Sequence, residues 1–77
     1  MKVTLVGLQR VNFVNAKGQT VNGNNVFVAF KDENVEGLKT EKLFLKEGIE
    51  LPKEVKINDV IDVSFNMHGK VMEIHKA

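Results

Sequence analysis

The residues of this chain that offer chemistry are lysines spaced around a phenylalanine. In the segment Lys42–Lys46 an aromatic ring, Phe44, lies two residues from a lysine on either side. In an extended strand these three side chains share one face, because successive side chains point to opposite sides. Such a face suits an unpaired nucleic-acid strand, whose bases stack on the ring while the ammonium groups contact phosphates. The alternative is a buried ring, since a barrel or a dimer covers both faces of a strand.

A second ring, Phe27, has the opposite parity to the apolar residues Val26, Val28 and Phe30. It therefore falls on the same side of its predicted strand as Lys31 and could extend the platform around Phe44. Burial between two layers is again the alternative.

The other reactive residue types are sparse. The chain has no cysteine and two histidines, His68 and His75, which lack the spacing of a zinc site. Ser64 is the only serine, and no glycine-rich phosphate loop is present. We therefore expect no catalytic residue, no metal and no cofactor, and do not expect an enzyme.

Charge is distributed unevenly along the chain. The formal net charge is +1, but residues 1–31 contain four basic residues and no acidic one, whereas residues 32–77 contain seven basic and ten acidic residues. The four N-terminal cations are Lys2, Arg10, Lys17 and Lys31. They form a local basic patch if they share a face, and are scattered solubilising charges if they do not.

The elements that must position these residues begin with a long hairpin over residues 1–31. Its apolar residues alternate, but the parity changes near Gly7, which predicts a bend or bulge there. The turn is predicted at residues 15–18, Asn-Ala-Lys-Gly. Asn22-Gly23 is compatible with a second turn or with a continuing strand.

Three further strands are predicted, at residues 40–46, 60–66 and 70–75. Ile61, Val63 and Phe65 are expected to face inward in the second of these, and Met72 and Ile74 to share one face of the last. Five strands and no major helix in 77 residues predict one all-β domain over residues 1–77. A small antiparallel barrel, OB-like or SH3-like, is favoured, since closure removes exposed edges. Of the two, the long first strand bent at a glycine indicates the OB-like barrel.

This arrangement resembles the small single-stranded-DNA-binding proteins of filamentous bacteriophages, the gene V type, and related replication proteins of phages and mobile elements. The resemblance is carried by Phe13 and the polar turn ending at Gly18, by Gly23, by the segment 42–48 and by the hairpin 65–74. It covers most of the chain through short elements.

The resemblance implies a helix-poor OB fold that forms homodimers and coats single strands without reading their sequence. By position, Lys17 and Lys42 are similar to basic residues that contact phosphate in that family. The turn at His68 is similar to one whose aromatic tip touches the single-stranded DNA. The sequence departs from the family at Val21, Asn24 and Val26, where a basic residue or a tyrosine is usual.

The combined expectation is a non-enzymatic protein that binds single-stranded DNA, or RNA, during phage or mobile-element replication. The candidate binding residues are Arg10, Lys17, Phe27, Lys31, Lys42, Phe44, Lys46 and His68. A homodimer is expected, without a small-molecule substrate. No apolar run approaches the roughly 20 residues that span a bilayer, so we expect a cytoplasmic protein without a membrane partner. The alternative function is a protein interaction or oligomerisation module.

Overall fold

Five antiparallel strands in one sheet form the fold, and the computed structural model describes all 77 residues, Met1–Ala77. The strands are β1 Lys2–Val14, β2 Thr20–Lys31, β3 Leu38–Lys46, β4 Val60–Phe65 and β5 Val71–Lys76. Their order across the sheet is β3-β2-β1-β4-β5. The expected all-β class, five antiparallel strands without a helix, is confirmed.

β1 bends where its apolar alternation changes parity. Leu5 pairs with Val28 and Gly7 pairs with Phe27, so Val6 is an extra residue in β1 and forms a β-bulge. Before the bulge the odd-numbered residues of β1 face the core, and beyond it the even-numbered residues lie on that face. The bend predicted near Gly7 is confirmed.

Beyond the bulge, the β1–β2 hairpin extends past the core as an arm, defined here as residues 8–14 and 20–24, of which only Gly23 is buried. Three of its large apolar side chains are at least half exposed: Leu8 at 52%, Phe13 at 50% and Val14 at 65%. A strand of 13 residues spans about 43 Å at about 3.3 Å per residue. This length accounts for the 41 Å longest dimension of the molecule.

The core lies under the base of this hairpin, between its inner face and the strands β4 and β5. Its buried residues are Val3, Leu5, Val26, Val28, Leu45, Ile61, Val63, Val71 and Ile74. Burying an aliphatic side chain of this size stabilises the fold by about 1.5–3 kcal/mol. The loop between β3 and β4 covers the core through Ile49, Leu51 and Val55.

The two edges of the sheet, β3 and β5, approach each other without pairing. No backbone ladder joins them, although Leu43 on β3 and Val71 on β5 line the same cleft. The sheet therefore curls but stays open along this seam, and closure into the expected barrel is not confirmed.

The last hairpin differs from the sequence expectation by one residue. The β4–β5 ladder skips Met72, which bulges between the partners of Ser64 and Phe65. The expectation that Met72 shares a face with Ile74 is therefore wrong: Val71 and Ile74 are buried, while Met72 is 54% exposed. Phe65, expected to face inward, lies at the end of its strand and is 37% exposed.

Of the two alternatives at Asn22-Gly23, the continuing strand is the one found. Gly23 pairs with Val11 on one side and with Lys46 on the other, so it lies in the middle of three strands. Backbone pairing on both sides overrides the local turn preference of the dipeptide. The remaining connections are turns and loops, and the structure contains no helix suited to crossing a membrane.

Candidate nucleic-acid interface

The outer face of β2 and β3 carries the aromatic residues and lysines that the sequence singled out. Across the β2–β3 ladder, Phe27 lies opposite Lys42 and Asn25 opposite Phe44. Directly paired residues lie on the same face, and these four alternate with buried residues such as Val26. We call this surface, together with the paired positions of β1, the outer face.

Phe44 is held in place by a glycine on the neighbouring strand. A Cβ atom built on Gly23 would lie 2.6 Å from Cζ and 2.8 Å from Cε1 of Phe44, and would also meet the carbonyl oxygen of Leu45. The ring therefore occupies the space that a side chain at position 23 would fill. Since Phe44 remains 43% exposed, its free surface is available to a ligand.

A cleft of about 250 Å³ separates β3 from the last hairpin beside this ring. We call it the β3–β5 cleft. Lys42 and Phe44 line it from β3, and Phe65, Lys70 and Val71 line it from the other side. A second depression of about 150 Å³ shares Phe44, Lys70 and Val71 with the first and extends the groove to two further residues, Lys46 and Asn66.

The charge in this groove is entirely positive. Lys42, Lys46 and Lys70 line it without an acidic neighbour in its wall. None of the three forms an ion pair, and the only lysine of the chain that does is Lys39, with Asp32 and Glu41. Three ammonium groups without an ion pair around an exposed ring give this groove a positive local field.

The turn between β4 and β5 supports the far wall of the cleft. The side-chain oxygen of Asn66 accepts hydrogen bonds from the backbone N–H groups of His68, at 2.9 Å, and Lys70, at 3.1 Å. Gly69 completes the turn with a φ of 75°, a backbone conformation that glycine adopts without strain. The turn thus positions Lys70 at the cleft, while His68 is exposed at its tip.

Of the predicted residues, Lys42, Phe44 and Lys46 are brought together, and Phe27 adjoins them on the outer face. Phe27 is half-buried because its ring packs on Gly7, where a Cβ atom would lie 3.2 Å from Cδ2 of Phe27.

The other predicted residues lie apart from this cluster. Arg10 pairs with Asn24, which places it on the inner face, where it lines a third depression together with Lys46, Glu47 and Glu50. Lys17 lies in the β1–β2 turn. Lys31 is on the outer face at the far end of β2, four residues from Phe27, or about 13 Å at about 3.3 Å per residue.

Sequence reasoning missed the far wall of the cleft, namely Phe65, Asn66 and Lys70. Lys70 follows a turn glycine, a position typical of a solvated base, and no local pattern indicates that it faces β3. Only the curl of the sheet brings β5 opposite β3. The described residues contain no group of His, Cys, Asp and Glu side chains arranged to hold a metal ion.

Comparison of the chain with protein-family models, with curated proteins and with solved structures finds no match. The outer face and the β3–β5 cleft are therefore the features of the molecule that indicate a function.

Proposed function

We propose that this protein binds single-stranded nucleic acid, with DNA as the first ligand to test, on its outer face and in the β3–β5 cleft. Bases stack on Phe44, which Phe27 adjoins on the same face. Phosphates contact Lys42, Lys46 and Lys70. Strands 2 and 3 are also the surface with which OB folds bind oligonucleotides. The binding is independent of base sequence, because stacking and phosphate contacts are available to every nucleotide.

The observation that carries this proposal is the half-exposed ring of Phe44, fixed on Gly23 between lysines that have no acidic partner. A buried ring could not stack on a base, and paired lysines would have to break an ion pair first. The walls of the groove contain no serine, histidine or carboxylate. They therefore lack the groups of a hydrolytic site, which supports a non-enzymatic role.

The test is a fluorescence-anisotropy titration of labelled oligo-dT with the full chain at increasing salt. We expect binding that weakens as salt rises, because each phosphate contact adds about 0.7 to the slope of log affinity against log salt for single strands. Three contacts give a slope of about 2. Absence of an anisotropy change at low salt and micromolar protein would refute the proposal.

Lysine variants identify the surface that binds. Lys42→Gln, Lys46→Gln and Lys70→Gln should each lower the salt slope by about 0.7. The control is Lys53→Gln, because Lys53 is exposed on the loop between β3 and β4 and lines neither part of the groove. Equal effects of the control and the three groove variants would show that binding follows total charge rather than this surface.

The resemblance to phage single-stranded-DNA-binding proteins supports a more specific setting, in which a homodimer coats DNA during phage or mobile-element replication in the cytoplasm. RNA is the competing ligand, and a parallel titration with oligo-rU compares the two.

A second candidate function is protein interaction, and the exposed apolar residues of the arm favour it. Leu8 and Val14 on the inner face and Phe13 on the outer face would each bury apolar surface against a partner or a second copy. Light scattering coupled to size-exclusion chromatography tests self-association. A dimer that does not bind oligo-dT would favour this function over the first.

A further inference from the structure

The arm carries an exposed aromatic ring, Phe13, that does not line the groove. Phe13 is 50% exposed near its end, and it pairs with Val21 across the hairpin. The next pair on the same face is Val11 with Gly23, the glycine on which Phe44 lies. Phe13 therefore shares the outer face with Phe44.

The two rings lie four residues apart along the direction of β1, on the same face of the sheet. Phe44 lies in the row of Asn25 and Gln9, and Phe13 is four residues beyond Gln9. Four residues of strand cover about 13 Å. Within the row of Phe44, the side-chain amide of Asn25 donates a hydrogen bond to the side-chain oxygen of Gln9 at 3.2 Å, so polar groups border the ring on the side of β1.

The charge of the arm indicates which kind of ligand this face would bind. The arm and its turn, residues 8–24, contain no acidic residue, and Lys17 in the turn forms no ion pair. The other cation of this segment, Arg10, lies on the inner face. An exposed ring on a cationic, acid-free ribbon that continues a lysine-lined groove is complementary to a polyanion with flat apolar groups. Unpaired nucleic acid has both properties.

We propose that Phe13 is a second base-stacking position, so that a single strand runs from the β3–β5 cleft along the outer face onto the arm. This inference rests on the proposed function and adds to it a footprint in two parts. The groove around Phe44 holds a short oligonucleotide, and only a longer one reaches Phe13. OB folds occupy about 4–16 nucleotides, a range that includes both lengths.

The test compares dT4 with dT12 in anisotropy titrations of the wild type, Phe13→Ala and Val14→Ala. Val14 is the matched control because it is the adjacent residue of β1, more exposed, and on the opposite face. We expect Phe13→Ala to weaken dT12 binding by roughly 5- to 150-fold, the range for loss of one stacked base, and to leave dT4 binding unchanged. Val14→Ala should change neither affinity.

Other outcomes overturn the inference in distinguishable ways. If dT12 binds the wild type and Phe13→Ala equally well, the arm is not a stacking position and the proposed function survives alone. If neither oligonucleotide binds the wild type, the proposed function fails and this inference with it. A wild-type dimer that Phe13→Ala converts to a monomer shows a second copy on the arm instead. Circular dichroism confirms that the variants are folded.

Discussion

Two phenylalanines of the outer face each pack on a glycine, and the two contacts differ. Phe27 meets the Gly7 position with the near part of its side chain: Cβ, Cγ and Cδ2 lie 3.2–3.5 Å from where a Cβ atom on Gly7 would be. Phe44 meets the Gly23 position with the far edge of its ring, Cζ and Cε1. Phe27 is half-buried, whereas Phe44 stays 43% exposed.

The difference separates a structural aromatic from a candidate binding one. Phe27 covers a glycine directly opposite it in the ladder, beside the bulge of β1, and so shields a backbone that has no side chain of its own. Phe44 reaches diagonally onto a glycine of the next strand and keeps its free surface at the β3–β5 cleft. A phenylalanine packed on a glycine thus covers the backbone at Gly7, whereas at Gly23 it holds an exposed ring in place.

The largest expected effect is that of Gly23→Ala. The new methyl group would clash with the Leu45 carbonyl oxygen and with the Phe44 ring, so backbone as well as side chain must move. Overpacking of this kind costs about 1–3 kcal/mol, and we expect the upper part of that range in urea unfolding. Oligo-dT affinity should fall as well, because the ring is displaced.

Gly7→Ala is the matched control for this prediction. Its nearest neighbours are side-chain atoms of Phe27, at 3.2 Å and beyond, and a side chain can shift by a few tenths of an ångström. We expect a loss below about 1 kcal/mol and unchanged affinity. Equal losses in the two variants would contradict the distinction between the two glycines.

The next effect compares the rings themselves. Phe44→Ala removes the exposed stacking surface and should weaken oligo-dT binding by about 1–3 kcal/mol, with a small change in unfolding free energy. Phe27→Ala removes a half-buried ring that covers Gly7, so its main effect should be on the unfolding free energy. Anisotropy titrations and urea unfolding of both variants measure the two quantities.

The opposite result, affinity lost with Phe27→Ala and stability lost with Phe44→Ala, would exchange the roles of the rings. Met72→Ala serves as the control for removing an exposed apolar side chain, since Met72 bulges from β5 and lines none of the clefts. It should bind oligo-dT with wild-type affinity.

The sequence predicts the strands of this protein because its information there is local. The parity change at Gly7, the turn at residues 15–18 and the lysines around Phe44 all follow from alternation over a few residues. Pairing decided the rest. The Asn22-Gly23 dipeptide is a strong turn signal, yet ladders on both sides hold it in β2, and the bulge at Met72 reverses the faces of β5.

Only part of the candidate site can be predicted from the sequence, because local patterns do not show how distant strands come together. Lys42, Phe44 and Lys46 are neighbours along one strand, so alternation places them together. Lys70 joins them only because the sheet curls, and Arg10 separates from them because the bulge at Val6 changes the parity of β1 beyond it. The curl has no local signature, and the parity change near Gly7 indicates a bulge without fixing which face of the sheet Arg10 joins.

The smallest effect extends the contrast to the two hairpin turns. Asn15 supports the β1–β2 turn as Asn66 supports the β4–β5 turn: its side-chain oxygen accepts hydrogen bonds from the N–H groups of Lys17, at 2.9 Å, and Gln19, at 3.0 Å. Each Asn→Ala variant loses two such hydrogen bonds, and Asn15→Ala also loses the exposed one that its side-chain amide donates to the side-chain oxygen of Gln19 at 3.2 Å. We expect each variant to lower the unfolding free energy by about 1 kcal/mol.

Their effects on binding should differ, because only the turn of Asn66 contributes to the wall of the groove, where it holds Lys70. Asn66→Ala should weaken binding of the short dT4 a few-fold, while Asn15→Ala should leave it unchanged. Because both turns rest on an Asn side-chain oxygen and each variant is expected to lose about 1 kcal/mol, a difference in dT4 affinity reports on the position of the turn rather than on folding. Equal affinities in the two variants would show that the β4–β5 turn plays no part in holding the ligand, and would confine the binding surface to β2 and β3.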